Sequence, residues 1–190
     1  MNNVLKKLKG GDRRSIGRVE EVVKDVFSDP SLFHVLFKGL SSDDPVIRMR
    51  SADAVEKITA KHPDYLQPYK TELMGQLANI KQQEVRWHVA QMLPRLKTSK
   101  GKRAVIVEIL FGYLNDKSNI VRTFAMQSLA DLAETEPLLL SKVIPLLEKL
   151  TRTGSPAVKT RGKKLLEKLD RSLKPSSKRA ATDTPKARKK

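Results

Sequence analysis

Cysteine is absent from the 190 residues. Without thiols there can be no disulfide and no Cys-ligated zinc, an absence that agrees with a reducing compartment. Aromatic residues are scarce at 5%, so Leu, Val, Ile and Ala must build the core from a hydrophobic complement of 39%. Long apolar runs are missing. The richest, AVIVEILFGYL, falls well short of the ~20 residues a membrane span needs. The N-terminal MNNVLKKLKGGDRR has no apolar signal core. These absences predict a soluble, cytoplasmic protein. Strand signals are also poor, since no sustained alternation is bounded by Asn-Gly or Asp-Gly turns. P-loop, GxGxxG and nucleophile-elbow motifs are lacking. His34, His62 and His88 lie far apart and form no i,i+4 ligand pair. No catalytic group, metal or cofactor is expected.

What is present is helical spacing, repeated. Arg48, Arg86, Arg122 and Lys159 follow one another at 38, 36 and 37 residues. One position earlier stand Ile47, Val85, Val121 and Val158. Seven positions later stand Val55, Leu93, Leu129 and Leu166, and ten later Ile58, Leu96, Leu132 and Leu169. Small residues fall between them, at Ala52, Ala90, Ala125 and Gly162. Another apolar helix precedes each copy: Ser31–Leu40, Asp64–Ile80, Lys102–Leu114 and Pro137–Leu150. The unit is helix A, a short turn, then helix B. One such pair cannot bury its apolar face alone, so the units must stack.

The B-helix start DDPVIRMRSADAV recurs as QEVRWHVAQML and NIVRTFAMQSL, and more weakly as SPAVKTRGKKLL. In this pattern the chain resembles HEAT repeats. Pro68 and Pro145 fall inside A helices, where that family often carries a kinking proline. The resemblance covers residues 30–170. It implies an all-α, right-handed α-α superhelix of about five helix pairs. Residues 1–29 form a degenerate first repeat, with VLKKLKG as helix A and DRRSIGRVEEVVKDVF as helix B. There Ile16 stands where Arg is expected. Residues 171–190 have almost no large apolar side chain and read as a disordered basic tail.

The resemblance also implies a non-catalytic scaffold that binds along its inner B-helix face. Helical geometry turns about 100° per residue, which places positions one, five and eight after the Arg column away from the core. With their flanks, these positions give Met49, Arg50, Trp87, His88, Gln91, Arg95, Phe124 and Gln127 as partner-binding candidates. Trp87 is the single Trp, and Trp and Arg are enriched at interface hot spots. The Arg column itself is expected to tie units together through Asp44, Asn115 and Asp116, because a guanidinium fork makes directional bonds.

Charge of one sign gathers at one end. The net charge is +17, yet residues 151–190 hold 14 Lys and Arg against three acids. Lys159, Arg161, Lys163, Lys164 and Lys168, with Lys174, Lys178 and Arg179 beyond them, form a nucleic-acid-binding candidate that would act by counterion release. A protein partner is the first expectation and nucleic acid the alternative, with the chain acting as a monomer. HEAT-like glycosylases that excise alkylated bases give a third reading. In it Trp87 would stand beside a catalytic Asp53 or Asp131.

Overall fold

A computed structural model of the protein describes residues 3–12 and 14–173. Within them ten α-helices form five pairs and no strand occurs. The pairs are α1 (Asn3–Lys7) with α2 (Val19–Ser28), and α3 (Phe33–Lys38) with α4 (Pro45–Lys61). Then come α5 (Lys70–Met74) with α6 (Gln83–Met92), α7 (Lys100–Tyr113) with α8 (Asn119–Thr135), and α9 (Pro137–Thr153) with α10 (Pro156–Leu173). The even-numbered helices are the B helices. They pack side by side in chain order, α2 on α4, α4 on α6, α6 on α8 and α8 on α10, with the A segments against this layer.

Local chemistry sets the helix starts. Asp44 Oδ1 accepts from the Val46 and Ile47 N–H groups at 2.8 and 3.4 Å, with Pro45 in the first turn of α4. Pro137 and Pro156 likewise stand at the first positions of α9 and α10. The apolar columns are core: Ile47, Val85, Val121 and Val158 are buried, as are Val55, Leu93 and Leu129. In the last unit Leu165 takes the buried position expected of Leu166, which packs against the core from its edge. The small column is small for a reason. A Cβ on Gly162 would lie 2.1 Å from Thr151 Oγ1 and 3.3 Å from Met126 Cε, where α8, α9 and α10 meet.

Several expectations need correction. The third A helix is not continuous over 64–80. It is a 3-10 turn (Pro63–Tyr69), then α5, then a second 3-10 turn (Leu77–Asn79). Pro68 withholds an N–H there, and Gly75 leaves helical geometry at φ −101, ψ −106. Pro145, by contrast, is accommodated inside α9. Residues 171–173, expected in the tail, belong instead to α10, which carries helix through Leu173. Residues 174–190, which include Lys174, Lys178 and Arg179, lie outside the described residues.

The first B helix also starts late, at Val19. The segment before it is a loop with Gly10, Gly11 and Gly17 at positive φ and Ile16 48% exposed. Arg50, on the facing side of α4, holds this loop. Its guanidinium donates to the carbonyls of Leu8 at 2.9 Å, Gly10 at 2.7 Å, Asp12 at 3.2 Å and Ser15 at 3.0 Å. Gly17 is needed here twice over: its φ is +56, and a Cβ would come within 2.8 Å of the Arg50 guanidinium carbon. Arg50→Ala leaves these carbonyls without their donor. Urea denaturation should show a loss of about 3 kcal/mol, with hydrogen exchange rising first across residues 3–28. An unchanged exchange pattern in that segment would contradict the role.

Candidate functional site

The face formed by the B helices carries two charge clusters. In the first, Lys57 on α4 donates to Glu20 of α2 at 2.5 Å and to Asp53 of its own helix at 3.2 Å. Arg95, just past α6, reaches back to α4. It donates to the Glu56 carbonyl at 2.8 Å and the Thr59 hydroxyl at 3.0 Å, and pairs with the Glu56 carboxylate. His88 is buried among these groups, with Nε2 3.9 Å from Asp53 Oδ1. Burial first, then the Lys57 and Arg95 charges, push its pKa down to about 3. Burial also raises the Asp53 carboxyl, against the pull of Lys57.

In the second cluster α10 grips α8. Lys168 pairs with Asp131 at 2.8 Å and Glu134 at 2.6 Å, and Ser172 donates to Glu134 at 3.0 Å. Arg161 donates to Gln127 at 2.9 Å, and Gln127 donates to Asp131 at 2.8 Å. The Arg161 guanidinium also stands 5.9 Å from the Phe124 ring centroid. Between the clusters run half-buried Trp87 and Gln91 on α6 and Thr123 and Phe124 on α8.

Sequence geometry overestimated the width of this face. Met49, Arg50 and His88 were expected on it or at its flank, and all three are buried. A B helix inside the stack has a neighbour on each side, so flank positions become lateral contacts. Arg50 turns to the first loop, and His88 faces α4. Trp87, Gln91, Arg95, Phe124 and Gln127 keep partial exposure, but Arg95 and Gln127 already have partners within the layer. On α10 the basic candidates divide. Arg161 and Lys168 are engaged, whereas Lys159, Lys163 and Lys164 are exposed and make no side-chain bond among the described residues. Asp53 and Asp131, the two alternatives for the catalytic Asp of a glycosylase, each contact a lysine of the same face.

The Arg column does link units: Arg86 takes the expected Asp116, whereas Arg48 takes partners other than those expected. Arg48 donates to Gln82 at 2.7 Å and to the Ser42 carbonyl at 2.6 Å, while Asp44 is taken up as a helix cap. Arg86 pairs with Asp116 and lies 4.4 Å from the Tyr113 ring centroid. Burial pushes the Tyr113 hydroxyl up to about 12, and that hydroxyl donates to the Ala78 carbonyl at 2.8 Å. Arg122 has no such link among the described residues, and its Nε is buried without a partner. The turn ahead of it, Thr153-Gly154-Ser155, offers no acid.

Stacked helix pairs with a continuous B layer define the class as an α-solenoid. More narrowly, the chain belongs to the HEAT repeat family, for a family model described as a HEAT repeat domain matches residues 6–169. No curated protein matches the chain. Among the described residues no helix is long and apolar enough to cross a membrane, and no group of three or more His, Asp and Glu is placed to hold a metal ion.

His88 yields a pH dependence. Its folded pKa of about 3 lies below the ordinary 6.5, so between those values the unfolded chain binds the proton and the folded chain does not. The His88 contribution to stability is therefore full above pH ~6.5 and falls as pH drops toward 3, by on the order of 5 kcal/mol. Asp53, raised in the folded state, works the other way in the lower part of that range. His88→Leu should flatten the fall measured by urea denaturation between about pH 6.5 and 4. An equally steep fall in the variant would contradict the assignment.

Proposed function

We propose that the protein is a non-catalytic binding scaffold that takes a protein partner on its B-helix face. The strip of half-buried Trp87, Gln91, Thr123 and Phe124 carries this reading. The charges on either side of it are satisfied by one another across adjacent helices, so a partner that covers the strip does not have to strip water from unpaired ions. Aromatic groups between polar neighbours match the composition of interface centres. A reducing, intracellular setting and a monomeric chain belong to the same proposal.

A second reading has its own observation. Lys159, Lys163 and Lys164 are exposed along the outermost helix without ion pairs among the described residues. Such cations bind phosphates by counterion release, independent of base sequence. The basic residues of 174–190 would add to them.

One pair of variants separates the readings. Gln91→Arg alters the strip, and Lys159, Lys163 and Lys164 changed together to Glu alter the last helix. Cross-linking with mass spectrometry on the full chain in cells should lose its principal protein partner with Gln91→Arg and keep it with the triple variant. The reverse pattern would contradict the scaffold reading. Fluorescence anisotropy with duplex DNA tests the second reading. Binding at about 0.15 M salt that the triple variant weakens would support it, and no binding there would reject it.

A further inference from the structure

A second surface lies away from the B-helix face. A groove of about 610 Å³ opens between the N-terminal halves of α7 and α9, closed at its base by the last turn of α8. Its apolar wall is made by Ala104, Val107, Leu138 and Leu139. Leu138 is 92% exposed, the most exposed large hydrophobic among the described residues, and Val105 on the adjoining turn of α7 is 49% exposed. Leucine at that exposure gains from any apolar cover, by roughly 1.5–3 kcal/mol on full burial. The Thr98 hydroxyl, also in the lining, is buried and has no hydrogen-bond partner.

The charged side chains of the groove sum to a net positive charge. The first residues of both helices, Lys100 and Pro137, lie in its lining, and neither helix has a side-chain cap on its first N–H groups. Those ends carry partial positive charge. Lys100 and Lys142 stand in the lining, exposed, with no ion pair among the described residues. Arg103 and Glu136 neutralise each other at 3.2 Å, which leaves Glu108 as the one acid of the lining without an ion pair among the described residues.

We propose that this groove is a docking site for an acidic amphipathic segment of another protein. Apolar side chains of the segment cover Leu138 and Val107, and its carboxylates meet Lys100, Lys142 and the two helix starts. This is helix-in-groove or extended-peptide recognition, in which apolar anchors give affinity and charge sets orientation. The chain's own C-terminal residues do not fit the site. Residues 174–190 carry seven Lys and Arg against one acid, and the groove would repel them.

The test is to pan a random library of peptides about 12 residues long against the full chain, with the Leu138→Glu chain as counter-selection. Enrichment of Leu- or Phe-containing peptides flanked by Asp and Glu is expected. For the leading peptide, Leu138→Glu and Lys142→Glu should each raise the Kd at least about tenfold, and replacing its acids by Lys should abolish binding. Leu138 is almost wholly exposed, so the variant should keep its thermal melt. Lys142→Glu gives an independent reading if it does not. The proposal is overturned if no enrichment depends on Leu138 or Lys142, or if the enriched peptides are basic. It is also overturned if sedimentation shows a dimer that Leu138→Glu disperses, which would assign the groove to a second copy.

Discussion

The lateral packing of one B helix on the next is the contact on which the rest of the molecule depends. A helix pair of this length has too little apolar surface to offset the entropy of ordering its own chain. Stacking removes that limit, because Val55, Leu93 and Leu129 are each buried by neighbours on two sides. It also explains the small residues. Where α9 and α10 meet, Gly162 leaves no room for a methyl group beside Thr151. The same contact links B helices by polar means, through Ser128 to the Ala90 carbonyl, and the A segments beside it are linked by Tyr113 to the Ala78 carbonyl, both at 2.8 Å.

Stacking also decides what the surface has left to offer. Cations on the B-helix face are largely taken by acids of the adjacent helix: Lys57 by Glu20, Arg95 by Glu56, Lys168 by Asp131 and Glu134. Such pairs hold neighbours in register more than they attract a distant ligand. Unsatisfied chemistry gathers where the stack ends or opens. The last helix keeps Lys159, Lys163 and Lys164 exposed, and the α7–α9 groove keeps Leu138, Lys100 and Lys142. The first and last described units differ. At the first, the loop ahead of α2 is bound by Arg50 of α4 through its carbonyls, whereas α10 in the last keeps its three lysines exposed.

The period and the buried columns were legible in the sequence because stacking demands the same residue types at the same positions in each unit. Arg50 was not. Its neighbour Arg48 belongs to a repeated column, but the carbonyls that hold Arg50 come from a loop some 40 residues away, in a segment read as helix. The signal lay in Gly10, Gly11 and Gly17, three glycines close together before Val19. His88 was misplaced for a related reason: helical geometry gives the direction of a side chain, and only the neighbouring helix determines whether water lies there. The broken third A helix had its marks in Pro68 and Gly75. The α7–α9 groove had none, because its walls are A helices one repeat apart and the aligned columns all lie on the B helices.

Native-state hydrogen exchange on the full chain tests most directly whether lateral B-helix packing holds the molecule together. If it does, amides of α4, α6 and α8, each with a B helix on both sides, should exchange slowest and by a common opening. The A segments α3 and α5 should exchange faster and independently. Equal protection of A and B helices within each pair, with different values from pair to pair, would mean that the pairs are separate stable units and would contradict the account.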